Sequence, residues 1–375
     1  MDFLTLDEKI RKLIAAIETT SEFNLDNIGT GSGLGEDAAA LYKAYFASKG
    51  LVTRAAINFF RIGLQDTLIF IHGKYPFMRA LNEAFEDLLS LPGSYLVGLG
   101  RPLGQNVLIT RHLIPKGIFE DYIDEFDKLI DKGIITSYEV VEFAWPAERY
   151  SLDPSVFDYT TGSWKRGSYS SLTEREVIKV DSAPVPFDDV DLKILTMLKR
   201  SAATSLRGMA VAMGLSVDDV IFHLKEHVLG KGDPKRSMVS KYYVDFIEPG
   251  LFASNTMMVS LIAEPSGNPD ELLKRVAAIP YVSAIWQGKD GGVYASLYAP
   301  LEATYAIFHE VGTMGLDLKL KDLTGYIAPW YYWNILGSLR SPASLDRNYR
   351  GGNWVFEKEW LVDLVDNKVK QYAGE

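Results

Sequence analysis

Residues 188–229 read DDVDLKILTMLKRSAATSLRGMAVAMGLSVDDVIFHLKEHVL, and three short helices can be traced through them. In the first, Val190, Ile194, Leu195, Met197 and Leu198 recur at the spacing of one helical face. Thr204 or Ser205 is placed to cap a second helix, and Gly214 stops it. Ser216 caps a third, whose first turn carries Asp218 and Asp219, where the helix dipole favours negative charge. Helices joined by so tight a turn form a helix-turn-helix. Residues 231–249, KGDPKRSMVSKYYVDFIEP, supply a turn and a β-prone run, expected to fold as a two-stranded wing.

The same order occurs earlier in the chain. LDEKIRKLIAAIE (6–18) sets Leu6, Ile10, Leu13, Ile14 and Ile17 on one side of a helix. TTSEFNLDNIG (19–29) echoes AATSLRGMAVAMG (202–214), and GLGEDAAALYKAYFASKG (33–50) echoes GLSVDDVIFHLKEHVLGKG (214–232). VTRAAINFFRIGL (52–64) stands where the second wing stands. Glycines cost helix stability, so GTGSGLG (29–35) is expected to be a flexible connection inside a degenerate first copy. It is no phosphate loop, because it lacks the GxxxxGK[ST] lysine and no strand precedes it.

Beyond each helix-turn-helix the pattern becomes β-α-β-β-α-β. The first set is TLIFIHG, FMRALNEAFEDLLSLPG, SYLVGLG, NVLITRHL, IFEDYIDEFDKLIDKG and ITSYEVVEF. The second is TMMVSLIAE, DELLKRVAAIP, VSAIWQG, GVYASLYAP, TYAIFHEVGTMG and DLKLKDLTGYIA. SLDPSVFDYTTGSW ends one copy on Trp164, and SLDRNYRGGNWVFEKEW in the other contains Trp354. A period of roughly 185 residues is a domain duplication rather than a solenoid. The expected architecture is α+β, two copies of a winged helix-turn-helix plus a ferredoxin-like βαββαβ sandwich of the ACT/RAM-like kind. Its expected parts are a degenerate winged helix (1–64), a sandwich (65–145), an aromatic tail and linker (146–187), a second winged helix (188–250), a second sandwich (251–330) and an aromatic extension (331–375).

Composition narrows the function classes. With 47% hydrophobic and 23% charged residues, a packed globular chain is expected. No apolar run is long enough for a membrane span, and the acidic start lacks the basic region of a signal peptide, so a cytoplasmic protein is expected. Zero cysteines exclude disulfides, thiolate chemistry and Cys-ligated zinc. A net charge of −10 argues against a whole-molecule grip on nucleic acid, though not against a local basic patch.

Such a patch is present in the second copy. Ser216, His223 and Lys225 lie on the third helix, where they could face a major groove, and Lys231, Lys235, Arg236 and Lys241 form the densest basic run in the chain. The first copy offers Lys43, Lys49, Arg54 and Arg61. His223 and His227 stand at i, i+4, a spacing compatible with a metal, but no HExxH pattern surrounds them. A groove-facing or partly packed pair is expected, with no metal and no cofactor. The acidic run EDYIDEFDKLID reads as a solvated face, and WYYWNILG (330–337) as packing.

A winged helix-turn-helix followed by βαββαβ resembles the Lrp/AsnC regulators, here duplicated and fused, and residues 188–228 carry the likeness best. The resemblance implies a non-enzymatic transcription regulator that binds double-stranded DNA and pairs its sandwiches through their sheets. The pairing would make a pseudo-dimer within one chain, with a homodimer open as a further step, and the aromatic tails resemble archaeal members. It also implies a small effector near two turns, with Gly98, Arg101 and Asn106 at one and Lys289 and Asp290 at the other. Two alternatives remain. One is a protein-interaction scaffold with repurposed winged helices. The other follows from siroheme decarboxylases, which are similar to Lrp/AsnC proteins and use Arg and His beside a tetrapyrrole. Arg111, His112 and His72 at strand ends, with His309 in the second copy, would be its residues.

Overall fold

Thr5 and Asp188 open the two copies in the same way. Each caps a helix, α1 (Leu6–Thr19) or α6 (Asp189–Arg200), through a reciprocal capping box closed by Glu8 or Asp191. The second helices, α2 (Leu25–Ser32) and α7 (Leu206–Met213), are eight residues each and end on left-handed Gly33 and Gly214. The third helices, α3 (Asp37–Leu41) and α8 (Val217–Phe222), both run on into a π-helical turn, Tyr42–Phe46 and His223–Val228. The structure, a computed structural model, describes residues 4–373 except 47, 75–76, 92–93, 101–105, 166–172, 174, 180–182, 247–255, 264–267, 301–302 and 304–347.

Two expectations are corrected here. The glycine-rich stretch is no flexible connection. Gly29 lies within α2, and its carbonyl accepts the N–H groups of Leu34 and Gly35. A Cβ at Gly29 would stand 2.3 Å from the Gly35 carbonyl oxygen, so the glycine is what lets the turn fold back onto its helix. Nor does each head form its own wing hairpin. The strand after the first head, β1 (Leu51–Ile57), pairs antiparallel with the strand after the second, β9 (Val239–Phe246). Leu51, Ala55 and Ile57 enter the same core as Val239, Val244 and Phe246. Strands buried this deeply need their backbone groups paired, and each copy supplies the other's partner.

The first sandwich is β2 (Leu64–Gly73), α4 (Met78–Ser90), β3 (Leu96–Gly100), β4 (Val107–Pro115), α5 (Phe119–Asp131) and β5 (Ile135–Glu142). Its strand order, β3-β4-β2-β5, is the ferredoxin-like one. The second contains β10 (Thr256–Ala263), α9 (Pro269–Ala277), β11 (Val282–Gln287) and β12 (Val293–Pro300), in the order β10-β12-β11. A short strand from the first tail, β6 (Glu148–Arg149), extends this sheet beside β11. The helix and strand expected at 304–328 fall outside the described residues. This element order accords with the expected α+β class, winged helix-turn-helix units with ferredoxin-like sandwiches.

Strand alternation gives each sheet two buried faces. Ile69, Ile71, Leu108 and Ile114 pack under α4 and α5, and Leu261, Ile285, Val293 and Leu297 pack under α9. The opposite faces meet one another, Ile109, Val141 and Phe143 of the first sheet against Ile262, Ala284, Trp286 and Tyr294 of the second. The two tail hairpins repeat as well. β7 (Phe157–Asp158) pairs with β8 (Ser163–Trp164), and β13 (Tyr349–Arg350) with β14 (Asn353–Trp354), each pairing an aromatic residue with a tryptophan. The last helix, α10 (Trp360–Ala373), returns to the first copy and buries Leu361, Val362, Val365 and Val369 against its helical layer.

Candidate active site

Charge enters the seam between the sheets at one place. On β2, Asp66 alternates with the residues under the helices and is 1% exposed. Arg111 on β4 closes a bidentate pair with it, Nε standing 2.8 Å from Oδ1 and Nη2 bonding Oδ2. Trp286 of β11 donates its indole N–H to the same carboxylate at 3.2 Å. The Arg111 guanidinium lies 4.8 Å from the Trp286 ring centre, and Arg149 of β6 lies 5.2 Å from it. Gly98 sits opposite Arg111 in the β3–β4 register. A Cβ there would come within 2.8 Å of the Arg111 Cβ, so the glycine makes room for the arginine.

The heads bring more charge to the same point. Arg54 of β1 pairs with Asp245 of β9 at 3.0 Å and donates to the carbonyls of Lys199 and Arg200 at the C-terminal end of α6, where the helix dipole favours a cation. The Lys199 ammonium rests 5.3 Å from the Phe59 ring. Burial pushes its pKa down to about 7, reinforced by the positive charges of Arg111, Arg149 and Arg54 and opposed by Asp66. Burial raises the phenols of Tyr243 and Tyr298, which feel the same arginines. Among the described residues, four basic side chains (Arg54, Arg111, Arg149, Lys199) thus share this region with the carboxylates of Asp66 and Asp245.

The residues expected to matter are scattered by comparison. Arg111 belongs to the cluster, but its neighbour His112 points the other way, into the helical layer, with Nδ1 2.8 Å from the Tyr122 hydroxyl. Burial lowers the His112 pKa to about 3. His72 pairs with Val107 and His112 with Thr67, five residues along β2, so about 17 Å separates these histidines. They do not form one site, and His309 lies outside the described residues. Gly98 and Asn106 flank a turn whose Arg101 also lies outside them. Lys289 is held by Glu142 and lines a cavity of about 740 Å³ with Phe60, Gln65, Lys116 and Trp145, while Asp290 closes its own turn by accepting the Gly292 N–H.

On the second head, Ser216 is used as a cap, His223 turns inward to Asp191, Lys231 pairs with Glu226, and Lys241 pairs with the buried Glu148. Lys225, Lys235 and Arg236 are exposed. On the first, Lys43 is exposed, and Arg54 and the buried Arg61 face inward, Arg61 donating to the Ala183 carbonyl. The sequence reading missed Arg149, Lys199, Asp66 and Trp286. Each stands alone in its own element, so no local pattern marked it.

No protein-family model and no curated protein matches the chain. Two solved structures do, both of the siroheme decarboxylase NirDL, one of them in complex with an iron-uroporphyrin III analogue. They are 11% and 12% identical, cover 83% and 82% of this chain and 88% of their own, and each gives a TM-score of 0.49. Both are structures of an enzyme, and the expectation that this chain is not one is corrected accordingly. Among the described residues no helix is long and apolar enough to cross a membrane.

Proposed function

We propose that the chain is an enzyme that holds a carboxylated tetrapyrrole at the seam between its sheets and its heads and removes CO2 from it, as a siroheme decarboxylase does. The observation that carries this reading is the gathering of Arg54, Arg111, Arg149 and Lys199 at one point of the seam, which suits a ligand bearing several carboxylates. Arg149 has no carboxylate partner among the described residues and is the side chain freest to take a ligand carboxylate. Cleaving a C–CO2 bond leaves an electron pair on carbon that must take up a proton. A lysine with a pKa near 7 is half protonated at neutral pH, gives up that proton readily and recovers it from solvent. The balance is R–COO− plus H+ giving R–H plus CO2.

The test is titration of the full chain with iron-uroporphyrin III, followed by its visible absorption, with released CO2 measured alongside. Arg149→Ala should weaken binding by roughly ten- to a hundredfold, the worth of one charge-assisted contact. Lys199→Met should bind but release no CO2. No absorption change with the unaltered chain, or binding without CO2 release, overturns the reading.

A further inference from the structure

Four side chains meet at the other end of α6. Asp188 and Asp191 lie three residues apart at its start, and His223 and His227 four apart in the π-turn after α8. His223 Nδ1 is 2.9 Å from Asp191 Oδ1 and 3.7 Å from Asp188 Oδ1, and His227 Nδ1 is 3.1 Å from Asp191 Oδ2. One ligand atom from each of the four falls within 4.8 Å of all the others. A tetrahedral ion with bonds of about 2.0–2.1 Å holds its ligand atoms about 3.3–3.4 Å apart. The three His–Asp separations of 2.9, 3.1 and 3.7 Å bracket that spacing, and small side-chain rotations would bring all four atoms to it. Access is graded, from Asp191 at 0% exposure through His223 at 17% and His227 at 35% to Asp188 at 51%.

The first copy is an internal control. Its π-turn begins with Tyr42 and places Phe46 four residues on, the positions held by His223 and His227 in the second. The rings of each pair are about equally close, 4.9 Å for Tyr42–Phe46 and 5.0 Å for His223–His227. Tyr42 and Phe46 are buried in the head core, and Glu8, the counterpart of Asp191, is exposed. The fold therefore forms with an apolar pair here and does not need two histidines around a buried carboxylate. π-turns also occur often at functional sites.

We propose that Asp188, Asp191, His223 and His227 bind a divalent transition-metal ion, with Zn2+ the best match to two imidazoles and two carboxylates without sulfur. In the metal-free arrangement Asp191 accepts from both Nδ1–H groups and from the Asp188 backbone N–H. The ion takes the place of the two Nδ1 protons, and each imidazole stays a neutral ligand by carrying its ring proton on Nε2 instead. This inference is independent of the tetrapyrrole reading, and its test uses neither turnover nor tetrapyrrole.

Chelator-treated full chain is titrated with Zn2+ by calorimetry and with Co2+ by visible absorption. Binding of one equivalent and a d–d band on Co2+ are expected. His227→Gln and Asp188→Asn should each weaken Zn2+ binding by at least about tenfold. Asn caps a helix as well as Asp does, so Asp188→Asn removes a ligand while α6 keeps its cap. Absence of Zn2+ binding by the unaltered chain overturns the proposal. So does binding that survives undiminished in both variants, which would place the ion elsewhere.

Discussion

His112 and Arg111 are neighbours in sequence and opposites in circumstance. Arg111 is paired with Asp66, whereas His112 sits among Tyr122 and Phe126, where burial holds it neutral. The consequence for stability follows from linkage. An unfolded histidine titrates near 6.5, and this one only near pH 3 when folded, so between those values the unfolded chain binds the extra proton. The stability contribution is complete above pH 6.5 and is lost as the pH falls towards 3. Within that window it changes by about 1.4 kcal/mol per pH unit. Urea unfolding at pH 7 and pH 5 checks this: His112→Phe should lose less stability between the two than the unaltered chain. Equal losses would show that His112 does not titrate as its burial requires.

At the scale of elements, the helices were legible because capping and periodicity are local. Ser205, Gly214 and Ser216 act where the sequence placed them. The site was not legible, because Asp66, Arg111, Arg149, Lys199 and Trp286 come from five separate elements and meet through strand alternation and sheet stacking. A lysine in the last turn of a helix, as Lys199 is, suits the helix dipole without any site to serve. The pairing of β1 with β9 was hidden for the same reason, since nothing within either strand names a partner 190 residues away.

Docking of α10 makes a second prediction at this scale. Glu125 of α5 is fully buried and accepts the backbone N–H of Glu359 at 2.9 Å and of Val362 at 3.5 Å, while Lys128 neutralises it at 3.0 Å. It holds the start of α10 from across the interface, where an anion suits the helix dipole. Glu125→Ala should cost about 1–3 kcal/mol and free α10 for early proteolysis and faster amide exchange. Unchanged protection of residues 360–373 would show that the apolar contacts suffice alone.

For the whole molecule, the duplication is a division of labour. The repeated elements share the length of their second helices, a capping box on the first and the tail hairpins, yet Asp191, His223 and His227 occur in one copy, and the cation cluster takes Arg54, Arg111 and Arg149 from the first copy and Lys199 from the second. Neither half is complete. Residues 1–187 alone lack β9 and α10, and residues 188–375 lack β1 and β6. Expressed singly, each half should expose its apolar seam and aggregate, and expressed together they should copurify. A soluble first half with a cooperative melt would contradict this account of the core.

The return of α10 also sets an order of events during synthesis. The layer formed by α4 and α5 leaves the ribosome well before its last component, with roughly 230 residues and on the order of 10–50 s of elongation between Asp131 and Trp360. Throughout that interval Leu81, Phe85 and Leu129 lack the cover that Leu361 and Val365 provide. The nascent chain therefore carries an open apolar face from the making of α5 until α10 is made, so termination between the two yields a product that is sticky as well as short.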